Sequence, residues 1–269
     1  LPFLALVFIG AIVLCLVASM PHERVHFRKA IAAKEASGET YDQRGEAFLL
    51  AAWCATGLAN VLANVTRSVF TERVALLVKE NQLKLFFESQ PPAFLQDGAA
   101  TKYSWMAFAL AFATAATFLV LGHSNWWRYR MGWIFLLQIA AGGAFWILGR
   151  TDSLAVMILA FAIVGVNLGG AFFASTYYSL ANPLLKHRRA AINEGAVGIG
   201  GIVTAGFGFL VAGVGFQLAF EFIPAMVAIA ICVEFLLYLL GKRLVSLSHS
   251  EKSQANAPFA APDPVTSPE

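Results

Sequence analysis

Charge is scarce in this sequence. Lys, Arg, Asp and Glu supply 13% of its 269 residues, while 58% are hydrophobic. An ordinary soluble domain carries nearer about 25% charged residues, so this chain lacks the polar surface that keeps a globule dissolved. Cysteine is scarce as well. Cys15, Cys54 and Cys232 lie singly inside apolar stretches. An odd number at no metal-ligand spacing excludes a disulfide scaffold, and the three read as small hydrophobes. The net charge of +3 is small and spread over loops, which argues against a nucleic-acid-binding domain. The apolar content excludes a disordered chain. No ATP-binding motif is present, and no signature marks a sugar, drug, peptide or anion carrier. No cofactor is implied.

What the sequence does have is length of apolar run. A helix needs about 20 apolar residues to cross about 30 Å of hydrocarbon. Seven segments qualify: Leu1–Met20, Ala47 to about Phe70, Tyr103–Gly122, Met131–Gly149, Ser153–Leu180, Ala190–Gly213 and Phe216–Leu240. Their apolar runs are continuous rather than alternating, so helices are predicted and barrel strands are not. The fold class is therefore an all-α membrane protein of seven transmembrane helices. Lys and Arg concentrate in 21–46, 123–130, 181–189 and the segment after 241. That bias predicts a multi-pass protein of the cell membrane with the N-terminus of this sequence outside and the C-terminus in the cytoplasm.

The connectors differ in character. Residues 21–46 form a charged cytoplasmic connector. Within 71–101, Thr71–Phe87 is predicted as an amphipathic helical extension, and Pro91-Pro92 and Asp97-Gly98 mark a loop. Residues 245–269 are rich in Ser, Ala and Pro and are expected to be a disordered tail. Leu1 opens directly in an apolar run with no initiator Met and no basic leader. The expectation is a truncated chain whose first span belongs to a preceding part.

Several polar residues fall within the spans. In the second, Trp53, Thr56, Asn60, Asn64, Arg67 and Thr71 recur at three- and four-residue steps and share a helix face. An Arg exposed to lipid at mid-membrane costs about 2.5–3.5 kcal/mol on insertion scales. The stripe is therefore expected to face a watery cavity or to form interhelical hydrogen bonds. In the fifth span Asn167, Gly170, Ala174 and Tyr178 lie on one face. They are read either as cavity lining or as close packing with an interfacial tyrosine.

The sixth span is rich in glycine, which suits either a gating helix or tight static packing. Asn193 and Glu194 are expected to cap it, with a gate ion pair to Arg188 or Arg189 as the alternative. Glu221 and Glu234 lie in the seventh span. An intramembrane carboxylate suggests proton coupling, and the alternative is a local pair. Gln138 is expected to hold helices together.

One motif points elsewhere. His22-Glu23-Arg24-Val25-His26 matches H-E-x-x-H, which on a helix puts two His on one face with Glu23 as general base at zinc. No third ligand stands out. A membrane zinc protease and a seven-helix receptor are the alternatives to a carrier, although no Lys lies inside a span to hold retinal.

The order of one span, a charged connector and six spans resembles the major facilitator superfamily from its sixth helix to its last. Gly122-His123-Ser124-Asn125-Trp126-Trp127-Arg128-Tyr129-Arg130 is similar to the family's G-x-x-x-D-R-x-G-R-type loop. The Asp position holds Trp126 and the next Arg position holds Trp127. Arg188-Arg189-Ala190 before a glycine-rich span is similar to the start of the family's eleventh helix.

The resemblance implies four parts. Residues 1–20 would be a helix of a missing N-terminal half and 21–46 the central connector. Residues 47–244 would be a C-terminal bundle of two inverted three-helix repeats, followed by the tail. It also implies a non-enzymatic secondary transporter that moves a small solute by alternating access. The bilayer, the solute, protons and the absent half would be its partners, and nucleic acid would not. Trp53, Asn60, Asn64, Arg67, Asn167 and Tyr178 would bind solute, and Glu234 and Glu221 would couple protons.

Overall fold

The chain divides into two compact units, Leu1–Tyr41 and Asp42–Glu269. The structure, a computed structural model, describes residues 45–80, 82–84, 98–181 and 185–255, all in the second unit. The expected first span, nearly all of the connector, the His22-Glu23-x-x-His26 motif, the Pro91-Pro92 loop and the tail beyond 255 lie outside the described residues.

Among the described residues every element is helical. The helices are α1 (Glu46–Lys79), α2 (Ala99–His123), α3 (Gly132–Leu148), α4 (Leu154–Leu180), α5 (Lys186–Val214) and α6 (Phe216–Ala255). Five are long and apolar enough to cross a membrane. Helix α3 has 17 residues and rises about 26 Å, a little short of the hydrocarbon core. Large apolar side chains point outward from α2, α3 and α6, among them Phe112, Leu119, Leu136, Ile139, Ile229 and Leu236. A surface of that kind suits lipid and not water.

Two boundaries differ from expectation. Helix α5 starts at Lys186, so Asn193 is a buried interior residue and not a cap. Helix α6 runs on to Ala255, past residue 245 where the tail was expected to begin. Helix α1 extends beyond Phe70 to Lys79, as the amphipathic extension predicted, but stops short of Phe87. Lys84 then exchanges backbone hydrogen bonds with the start of α4. Its N–H donates to the Asp152 carbonyl (3.0 Å), and its own carbonyl accepts the Leu154 N–H (2.8 Å).

The helices alternate in direction. One end of the bundle holds Glu46 and Arg189, and the other holds Lys79, Arg150 and Glu221. Apart from α3 and α4, which lie against each other, sequence neighbours touch little: α2 packs along α4 and α5 along α1, α6 lies against α1, α1 meets α4, and α3 meets α6. Near the Glu46 end the core is aromatic, with Phe48 stacked on Tyr178 (centroids 5.4 Å apart) and Trp127 edge-on to Tyr177 (5.0 Å). Toward the Lys79 end Phe70, Phe145, Phe161, Phe207 and Phe220 fill it.

Candidate functional site

A cleft of about 880 Å³ lies between α1 and α5 and opens toward the Lys79 end. Helix α1 supplies Asn64, Arg67, Ser68 and Glu72, and α5 supplies Gly201, Thr204, Ala205 and Gly208, with Gly215 and Phe216 at the mouth. The α1 side is polar because the stripe recurs every turn on that face. The α5 side is low because its glycines carry no side chain. A Cβ on Gly201 or Gly208 would meet nothing within 4 Å. At Gly200, about 100° round the helix from Gly201, the two helices close. A Cβ there would come 2.7 Å from Asn60 Cβ. Thr204 ties the seam at this level, its hydroxyl donating to the carbonyls of Gly200 (2.7 Å) and Val61 (3.3 Å).

The stripe is thus split. Asn64 and Arg67 line the cleft. Asn60 sits at its closed floor, half-buried, with its amide donating to the Thr56 carbonyl of its own helix (2.9 Å). Thr56 is buried and donates to the Ala171 carbonyl of α4 (3.0 Å). Trp53 donates from its indole to the Ser179 hydroxyl (2.9 Å). From Trp53 to Thr56 the stripe makes interhelical hydrogen bonds, Asn64 and Arg67 border open space, and Thr71 donates back to the Ser68 carbonyl of its own helix.

The other predicted residues lie away from this cleft. Asn167 is one helical turn from Ala171, as Asn60 is one turn from Thr56. It is 1% exposed, and both atoms of its amide lack a hydrogen-bond partner. It is buried within the bundle and is not among the residues that line the α1/α5 cleft. Tyr178 is buried in the aromatic core near the Glu46 end. Its hydroxyl accepts the N–H of Tyr129 (3.0 Å), a residue held in the left-handed region with φ 59°. An amide turned that way has no helical partner, and the Tyr178 hydroxyl supplies one. Its observed role is to hold the α2–α3 loop.

The two glutamates differ from each other. Glu221 forms a surface ion pair with Arg150 (2.6 Å), and the Arg150 guanidinium lies 4.2 Å from the Trp146 ring centroid. Glu234, thirteen residues further along α6, is fully buried. Both its oxygens accept hydrogen bonds from the Gln138 amide of α3 (2.7 and 2.9 Å). Gln138 does join helices as expected, while its own carbonyl oxygen has no partner.

Sequence reasoning missed two groups. Glu46 and Arg189 pair at 2.6 and 2.8 Å where α1 and α5 begin, so Arg189 pairs across the seam and not with Glu194. Glu72 joins the cleft although its spacing puts it off the main stripe. Comparison with family models, with curated proteins and with solved structures returned no match.

Proposed function

We propose that these six helices are one half of a secondary transporter of the major-facilitator kind, with the α1/α5 cleft as part of its solute path. The observation that carries the reading is a repeated contact. On α2, Thr114 donates to the Leu110 carbonyl one turn back (2.8 Å) and to the Gly165 carbonyl of α4 (3.0 Å). On α5, Thr204 does the same with Gly200 and with Val61 of α1. Exchanging the triplet α1–α3 for α4–α6 maps one contact onto the other. The same exchange maps the pairing of α3 with α4 onto that of α6 with α1. Such symmetry is what two inverted three-helix repeats require.

The cleft itself favours water over lipid. Arg67 and Glu72 in hydrocarbon would each cost several kcal/mol. Its closed floor at Asn60 and Gly200 and the Glu46–Arg189 pair beyond it separate one end from the other. A carrier alternates which end is open. In this reading Glu234, a buried carboxylate with no cation beside it among the described residues, is where a proton binds, and Glu221 has no part in coupling. Uptake by Glu234→Gln is then expected to lose its dependence on a pH gradient, and uptake that keeps it removes Glu234 from coupling.

Cysteine labelling tests the cleft. In the transporter with both halves present and Cys15, Cys54 and Cys232 replaced by Ala, Ala205→Cys is expected to react with a membrane-impermeant maleimide, first from one face of the membrane and, after solute is added, from the other. Leu119→Cys on the apolar face of α2 is expected to stay unreactive. Failure of Ala205→Cys to react from either side would place α5 in lipid and end the transport reading. Reaction from one side under every condition would leave a static crevice.

A further inference from the structure

We propose that the α1/α5 cleft binds a small zwitterion of the amino-acid type, its carboxylate on Arg67 and its ammonium on Glu72. The inference rests on the cleft being a solute site and names the class of solute. Arg67 and Glu72 line the same space, both are exposed, and neither forms an ion pair among the described residues. They are five residues apart on one helix, about 140° round its axis, so they reach the cleft from different sides of α1 and do not meet as residues three or four apart do. Two opposite charges therefore face one cavity without neutralising each other.

The remaining polar groups narrow the choice. The side-chain amide of Asn64, one turn below Arg67, makes no hydrogen bond among the described residues. It stands ready to donate to a carboxylate held in the Arg67 fork. Thr204 is spent on the seam, and Ser68 donates to the Asn64 carbonyl (2.8 Å). The opposite wall offers only Gly201, Ala205 and Gly208, with Val69, Val211 and Phe216 nearby. Polar recognition thus lies on α1 and apolar room on α5. That division matches a molecule with a charged end of both signs and an apolar side chain.

Other solutes fit less well. A simple anion satisfies Arg67 and is repelled by Glu72, and a simple cation meets the reverse. An uncharged sugar leaves both charges desolvated and unpaired, which is costly. A cavity of about 880 Å³ is within the usual range for small-molecule sites.

The test is equilibrium binding of radiolabelled L-leucine to the purified full chain. 4-Methylpentanoate, isoamylamine and glucose serve as probes lacking, in turn, the ammonium, the carboxylate and both. Leucine is expected to bind saturably, and none of the three to displace it at equal concentration. Arg67→Gln and Glu72→Gln are each expected to weaken leucine binding by about tenfold or more, since each removes a charge-assisted contact. Both side chains are exposed, so unfolding temperatures should not move. Leucine binding that neither variant changes overturns the proposal. So does binding of 4-methylpentanoate, isoamylamine or glucose as tight as that of leucine, although the cleft would then remain a solute site. If none of the four binds, the zwitterion is excluded, and Ala205→Cys labelling decides separately whether the cleft holds water.

Discussion

The α2/α4 seam and the α1/α5 seam are built from the same parts and end differently. Each has a threonine that bonds one turn back and across, and each has glycine at the point of closest approach. Between α2 and α4 the contact is continuous. Cβ atoms on Gly165 and Gly169 would both overlap α2, the first at the Leu110 carbonyl and the second at Thr114 and Thr117. Between α1 and α5 the close contact runs through Gly200 and Thr204, while Gly201, about 100° round the helix from Gly200, faces the open cleft beside that contact. Glycine therefore closes one seam and opens the other. The residues opposite decide which: carbonyls and threonines beside Gly165 and Gly169, and Asn64, Arg67 and Glu72 beside the open stretch of α5.

Among single-methyl changes, the largest expected effect breaks the closed seam. Gly165→Ala places a methyl group against a backbone carbonyl that cannot swing aside. Overpacking of this kind costs about 1–3 kcal/mol, and unfolding in detergent should register it. Gly200→Ala should cost less, because its nearest obstacle, the Asn60 Cβ at 2.7 Å, is equally rigid but less deeply overlapped than the Leu110 carbonyl at Gly165. If Gly165→Ala unfolds like the parent chain, the two seams are equally loose and the contrast disappears.

A smaller effect sharpens the equivalence of the seams. Thr114→Val and Thr204→Val each delete one interhelical hydrogen bond, worth about 0.6 kcal/mol on average in a membrane bundle. The two losses should match and should add in the double variant, since the residues lie on separate seams. A threonine that contributes nothing on one seam would show the geometric repeat to be coincidental.

Most of the helices were legible in the sequence. The six described helices lie where apolar runs of spanning length predicted them, because a lipid-facing helix needs no more than that. Boundaries set by polar residues were less legible. The basic run at Lys186–Arg189 suggested a loop, yet it is the first turn of α5, where Arg189 is drawn onto Glu46. That pair joins residues 143 positions apart, and nothing local announces it. The site was half legible. Three- and four-residue spacing grouped Asn64 with Arg67 correctly. The same spacing also admitted Trp53 and Thr56, which turn to α4. Periodicity fixes which residues share a face, and it does not say where along that face the neighbouring helix leaves. Asn167 and Tyr178 were chosen for polarity within a span; both are buried, and neither lines the α1/α5 cleft.

The smallest effect on stability should accompany a large effect on function, and it falls on the open seam. Gly201→Leu adds a side chain where a Cβ meets nothing. The fold should hold to within about 0.5 kcal/mol, as for a surface change, helped by leucine's better helix propensity. The same side chain projects into the space beside Asn64 and Arg67, so leucine binding and maleimide access at Ala205→Cys should both fall sharply. The matching change on the other seam, Gly169→Leu, should abolish folding, because its Cβ already overlaps Thr114 and Thr117. If Gly201→Leu lowers the unfolding temperature as Gly165→Ala does, α5 closes on α1 in the membrane, and the cleft is no place for a solute. If it keeps both stability and leucine binding, the solute lies elsewhere on the bundle, and the open seam is only a surface.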